Sequence, residues 1–193
     1  QFSDALSIAP EPQKIQRLPR IQRFYPESAG PDWALLPTTA GIIDALHSSG
    51  NAHTLFGVQR LARAFEHWNS PRIFSQKLAH YSTVTAEEIR FIDELVGGCY
   101  RHLDDFSRMS LYSMCYFVAA HSLESRRMSK PDDDSSFLRA SDPPFRSRIK
   151  KVGSLIDSSS LSYSELHEEI AEILAPDNSA GFLDLAKRNM YPY

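Results

Sequence analysis

Leu111-Tyr112-Ser113-Met114-Cys115-Tyr116-Phe117-Val118-Ala119-Ala120-His121-Ser122-Leu123 is the most apolar stretch of the chain, and its reading sets the fold class. Leu111, Met114, Cys115, Phe117, Val118, Ala119 and Leu123 cover most sides of a helix running from about Arg108 to Met128. A helix that is apolar on most sides must be covered on most sides, which places this one at the centre of a helical protein. It is far short of the ~20 apolar residues that a membrane-spanning helix needs.

Upstream of it, Asp104 to Ser107 read as a tight turn. Thr85 and Glu88 have the spacing of a capping box and precede Ile89, Ile92, Leu95 and Val96, so a helix is expected from there to Leu103. Gly97 and Gly98 sit inside it and weaken it by about 1 kcal/mol each, for which close helix packing or a break is the reason. Ser70 caps and Pro71 opens an earlier helix carrying Ile73, Phe74, Leu78 and Ala79. Before that, Leu55, Val58, Leu61, Ala62 and Phe65 repeat at three- and four-residue steps, one apolar stripe on a helix from about Thr54 to Trp68. Thr38 or Thr39 can cap a short helix with Ile42, Ile43 and Leu46, ending near Gly50.

Downstream, residues 130–144 read as an acidic, proline-bearing loop with Asp132, Asp133, Asp134, Pro143 and Pro144. Arg146, Arg148, Lys150 and Lys151 follow and can pair with the acids across the surface. Ser162 and Glu165 make a second capping box before Leu166, Ile170, Ile173 and Leu174, and Pro176 stops that helix. A last helix is expected from about Ser179 to Asn189, carrying Phe182, Leu185 and Ala186. Alternating strand patterns bounded by turns are absent. The fold class is therefore all-α: six to eight helices in antiparallel hairpins over residues 38–193.

Residues 1–37 read differently, as an extended arm. Six of the twelve prolines lie here, a density that blocks helix and sheet ladders alike. Lys14, Arg17, Arg20 and Arg23 recur every third residue and would line one edge of a polyproline-like chain. With Phe24, Tyr25 and Trp33 they form a candidate partner-binding strap, to which the apolar tail bearing Tyr191 and Tyr193 adds a second docking element.

The chain has 193 residues, 42% hydrophobic and 23% charged, with a formal net charge of −3. Those values suit one globular domain and disfavour a general nucleic-acid binder, which needs a basic footprint. The first residue is Gln1, from which removal of a targeting peptide is expected. Two cysteines and no Asn-x-Ser/Thr sequon lean towards a mitochondrial rather than a secreted setting.

The sequence carries no recognisable catalytic or metal-binding motif. Asp104 and Asp105 are followed by Phe106, Ser107 and Arg108, and Asp132 to Asp134 lack the spacing of a calcium loop. The seven histidines make neither an HExxH pair nor a zinc pattern, and most of them read as helix-surface or interface residues. Gly97-Gly98 lacks the spacing and lysine of a phosphate loop. Cys99 and Cys115 lie about equally far from the turn near Phe106, as small reduced core residues or, in an oxidising compartment, a disulfide. No catalytic residue, cofactor or metal site is expected.

Shifted by 35 residues, Ala62-Arg63-Ala64-Phe65-Glu66-His67-Trp68 lies over Gly97-Gly98-Cys99-Tyr100-Arg101-His102-Leu103. Small residues, an aromatic, a histidine and a large apolar residue recur in order, each time at a helix end. The period resembles that of the pentatricopeptide family, and Phe106 to Ala120 is similar to octotricopeptide-type organellar repeats; the likeness covers residues 54 to 123. It implies an organellar setting with RNA binding or a structural role. The expected function is a non-catalytic accessory or scaffold subunit of a mitochondrial complex, such as the respiratory chain, ATP synthase or ribosome. An RNA-binding repeat protein and a secreted all-α effector or divergent enzyme stand as alternatives.

Overall fold

The computed structural model describes residues 21–130 and 134–184. The fold is all-α. Among the described residues, six α-helices carry the structure: α1 (Pro37–Ala40), α2 (Gly50–Phe65), α3 (Pro71–Arg101), α4 (Phe106–Ser129), α5 (Pro143–Ser158) and α6 (Tyr163–Leu174). A two-stranded antiparallel ladder, β1 (Arg23–Phe24) on β2 (Gly41–Ile42), precedes α2, so the expectation of no strand is corrected at this one place.

The long apolar stretch forms α4, and it is central as its composition requires. Leu111, Tyr112, Cys115, Val118, Ala119 and Leu123 are buried against α3, α5, α6 and a 3-10 turn at Phe137–Arg139. Asp105 caps it by accepting from the Arg108 amide at 3.2 Å. The turn between α3 and α4 is short, so the two helices run back along each other as a hairpin. α5 and α6 form a second hairpin, α6 opening on the Ser162–Glu165 capping box read in the sequence.

Four helix assignments change. The helix expected from Thr38 to near Gly50 is a single turn, after which Gly41 and Ile42 extend to pair with β1. The two helices expected on either side of Thr85 are one helix of 31 residues. Nothing between Leu78 and Glu88 breaks it, and the apparent capping pair Thr85 and Glu88 lies buried in its middle. The proline pair at 143–144 opens α5 rather than closing a loop: Asp142 accepts from the Phe145 amide at 3.1 Å, and the prolines take the first positions, where a missing N–H costs nothing. Phe145, Ile149, Val152 and Ile156, spaced four, three and four apart, form its buried stripe. Asn178 to Asp184 make turns where a last helix was expected; the rest of that segment lies outside the described residues.

The described part of the arm, residues 21–37, is tied to the helices. The Tyr25 amide donates to the Ala40 carbonyl (2.7 Å), the Ser28 amide to Ser82 Oγ (2.9 Å), and the Tyr81 hydroxyl to the Leu35 carbonyl (2.6 Å).

The two adjacent glycines of α3 do different things. A Cβ on Gly98 would stand 2.2 Å from the Tyr112 ring, whereas one on Gly97 meets only the end of Arg101 at 3.6 Å. Gly98 is therefore the close approach between α3 and α4, and the helix is unbroken there. Gly98→Ala is expected to destabilise by about 1–3 kcal/mol through overpacking. Gly97→Ala is expected to stabilise by up to about 1 kcal/mol. Urea unfolding of the two variants checks both; equal effects would mean that Tyr112 does not lie against Gly98.

Candidate functional site

Three buried or half-buried polar clusters bind the helices together. The first centres on Glu88 in α3, whose side chain is wholly inaccessible. Its carboxylate accepts from Arg60 Nη2 at 2.7 Å and Nη1 at 3.4 Å, from His53 Nε2 at 3.1 Å, and from the Phe137 amide at 2.7 Å. His53 and Arg60 stand seven residues apart on the inner face of α2, with Gly57 between them. The His53 ring also stacks on Phe137, centroids 5.3 Å apart. Burial alone would push the Glu88 carboxyl up; the hydrogen bond from His53 and the Arg60 charge outweigh it and hold the group below the usual carboxylate range. His53 and His167 are buried, while the other five histidines are exposed or partly exposed.

Beyond that cluster, the segment from residue 134 to Asp142 lies over α4. Leu138 and Arg139 adopt left-handed backbone (φ 54° and 61°), a strained conformation for non-glycine residues costing on the order of 1–3 kcal/mol each. What holds them there is side-chain anchoring. Leu138 is fully buried. Arg139 donates to Asp177 Oδ1 (2.6 Å), Asp142 Oδ2 (2.7 Å) and Ser122 Oγ (3.2 Å), and lies over the Phe145 ring. Arg148 joins Asp177 from the other side at 2.6 Å, and Arg126 joins Asp142 at 2.9 Å. Arginine and aspartate therefore alternate along a ladder of five groups. Two clefts flank it, of about 310 and 340 Å³, lined largely by serines, among them Ser122, Ser125, Ser136, Ser141 and Ser179. Each arginine of the ladder has a carboxylate partner, and with serine hydroxyls on the walls the clefts suit a neutral, oxygen-bearing group. In the larger cleft Ser125 and Ser179 both meet His121 Nδ1, at 3.2 and 3.0 Å, and in the other the Ser141 hydroxyl donates to the Glu87 carboxylate.

The third cluster joins α3, α4 and α5. Asp157 accepts from the Tyr112 hydroxyl (2.7 Å), His102 Nε2 (3.0 Å) and Arg101 Nη2 (3.1 Å), beside a cavity of about 160 Å³ that also reaches Glu94, Cys115 and Lys150. Burial and the neighbouring Asp157 carboxylate push the Tyr112 hydroxyl well up. Burial would raise Asp157 too, but the Tyr112 and His102 hydrogen bonds and the Arg101 charge hold it low. A tyrosine kept protonated beside an aspartate kept ionised is a clamp rather than a poised acid–base pair.

Cys99 and Cys115 are free and buried, and burial pushes both thiols up, Cys115 to about 12. Among the described residues, no group of three or more His, Cys, Asp or Glu could hold a metal ion.

Of the residues singled out for partner binding, Lys14, Arg17, Arg20, Tyr191 and Tyr193 lie outside the described residues. Arg23 donates to the carbonyls of Thr38 (2.8 Å) and Thr39 (3.2 Å). The Phe24 ring faces the Arg90 guanidinium at 5.1 Å, and Tyr25 and Trp33 are about half exposed. None of the four belongs to the three clusters. The only sequence trace of the Glu88 cluster is polar His53 and Arg60 at helical spacing opposite an apolar stripe.

No protein-family model matches the chain, and no curated protein matches it in sequence. In fold, it is similar to part of an enzyme. Solved structures of the halogenase PltM superpose on it, one with phloroglucinol and FAD bound at a TM-score of 0.65 and 17% identity, over 88% of this chain and 39% of that one. A second PltM structure gives 0.63 at 18% identity, over 83% and 36%. A mutant of PltM in complex with FAD gives 0.63 at 18%, over 84% and 37%. The chain thus spans little more than a third of the length of PltM. The expectation of a non-catalytic mitochondrial accessory subunit is corrected by this likeness: the fold is shared with an enzyme, which favours the divergent-enzyme alternative.

The Glu88 cluster yields two expectations. Glu88→Gln leaves the Arg60 charge buried without its counter-charge and should cost about 3–5 kcal/mol in urea unfolding. The lowered carboxyls of Glu88, Asp142 and Asp157 make stability fully present above the ordinary carboxylate value of about 4–4.5, and lost as pH falls below it. Unfolding measured from about pH 7 down to about pH 3 should show that slope, shallower in Glu88→Gln. An unchanged slope in the variant would remove Glu88 as a source of it.

Proposed function

We propose that this chain is the helical part of an enzyme related to halogenase PltM, acting on a phenolic substrate, with the flavin held outside the residues described here. The observation that carries the reading is the superposition over more than four fifths of the chain at TM-scores above 0.6. PltM binds FAD and phloroglucinol, and the described residues of this chain do not fit FAD by themselves. The space a phosphate would need above Gly98 is filled by Tyr112, and the guanidinium groups of Arg139 and Arg148 are matched by Asp142 and Asp177. Backbone amides freed by glycine, or unmatched cations, are what a pyrophosphate requires. The serine-lined clefts beside Arg139 suit hydroxyls of a small phenol better than they suit an anion.

The test has two arms. The 193-residue chain titrated with FAD should leave flavin fluorescence unchanged. The polypeptide carrying this sequence, isolated from its source, should bind FAD and, given reduced FAD, dioxygen, bromide or chloride and phloroglucinol, should give a halogenated product by mass spectrometry. A source polypeptide that neither binds flavin nor halogenates overturns the proposal.

A further inference from the structure

Helix α2 packs Phe56 against the core but turns most of its apolar side chains outward. Its inward face carries His53, Gly57, Arg60 and Ala64, while Leu55, Val58, Ala62 and Phe65, at steps of three, four and three, face outward. Leu55 is 68% exposed and Phe65 56%; the stripe continues into Trp68 at 66% and Ile73 at the start of α3. Phe65 meets Phe74 at 5.3 Å, so the two helices present one surface across the turn. The bare apolar area is on the order of 500 Å², near the top of what a free monomer leaves uncovered. The six apolar positions from Leu55 to Ile73 run beside exposed Glu66, Asn69 and Arg72, so the surface that covers them is apolar at its centre with a polar rim.

We propose that this face of α2 and the first turn of α3 is the seam on which the flavin-holding remainder of the enzyme docks. The inference rests on the proposed function. PltM has more than half its length outside the part that superposes on this chain, room for a further domain, and domains of one chain meet over interfaces of about 600–1,500 Å², a scale that a stripe of this size fits. Of the faces described here, this one combines a continuous apolar stripe with a polar cluster that fixes its direction. Glu88 holds His53 and Arg60 inward, so α2 cannot roll to hide the stripe.

Hydroxyl-radical oxidation of Phe65 and Trp68, read by mass spectrometry, tests the seam in the isolated chain and in the source polypeptide. Both should oxidise readily in the isolated chain and several-fold more slowly in the source polypeptide, with cross-links from this face to sequence outside the chain. Protection already present in the isolated chain would mean that its own residues outside 21–184 cover the stripe, and would overturn the proposal. So would self-cross-links that vanish on dilution, the mark of a second copy. Equal oxidation in a source polypeptide that binds FAD would overturn the seam and leave the proposed function standing. Protection in one that does not bind FAD would sink the proposed function and the named occupant together. Phe65→Glu with Leu55→Glu should leave unfolding of the isolated chain unchanged and split that of the source polypeptide into two transitions. A single transition in both would also overturn the seam.

Discussion

The Glu88 carboxylate is the constraint on which most of the described structure depends. A carboxylate removed from water must be matched nearly atom for atom, and here Arg60, His53 and the Phe137 amide do so. Each partner comes from a different distance along the chain, so one residue of α3 fixes the roll of α2 and the position of the segment over α4 at once. Such a pair gains little over well-packed apolar side chains, but it is intolerant of losing one member. Its effect is to select an arrangement. With His53 and Arg60 drawn inward, the hydrophobic side of α2 has nowhere to go but outward.

The other end of α3 is set by contact rather than charge. Gly98 lets Tyr112 approach the helix backbone, and the Tyr112 hydroxyl reaches over to Asp157 of α5. The strained pair Leu138 and Arg139 sits between these two regimes, held by a fully buried side chain on one residue and a buried, fully matched guanidinium on the other. Polar clusters and apolar packing therefore divide the labour: packing supplies the core along α4, and the clusters decide which faces meet.

Much of the helical content was legible because its signals are local. The apolar run of α4 and the Ser162–Glu165 box each contain their own evidence within a few residues. Thr85 and Glu88 show how that fails. They have the same spacing as the box at Ser162, but Glu88 is matched by residues 28, 35 and 49 positions away, and no local pattern reports such partners. α5 was missed for a related reason: Arg146, Arg148, Lys150 and Lys151 dominated the reading, while Phe145, Ile149, Val152 and Ile156 had helical spacing throughout. The stripe on α2 was found, but not the direction it faces, because that direction is decided in α3. The arginine–aspartate ladder and the Tyr112 clamp draw on three or more elements each and left no trace that a single segment could show.

The length of α3 has a further consequence. At 1.5 Å per residue its 31 residues reach roughly 46 Å, from the turn beside Trp68 to the turn before α4. Both the Glu88 cluster and the Tyr112 contact are built on it. A cut between Leu78 and Cys99 would divide the buried residues that both contacts share, so fragments exchanged there would need matching partners on both sides.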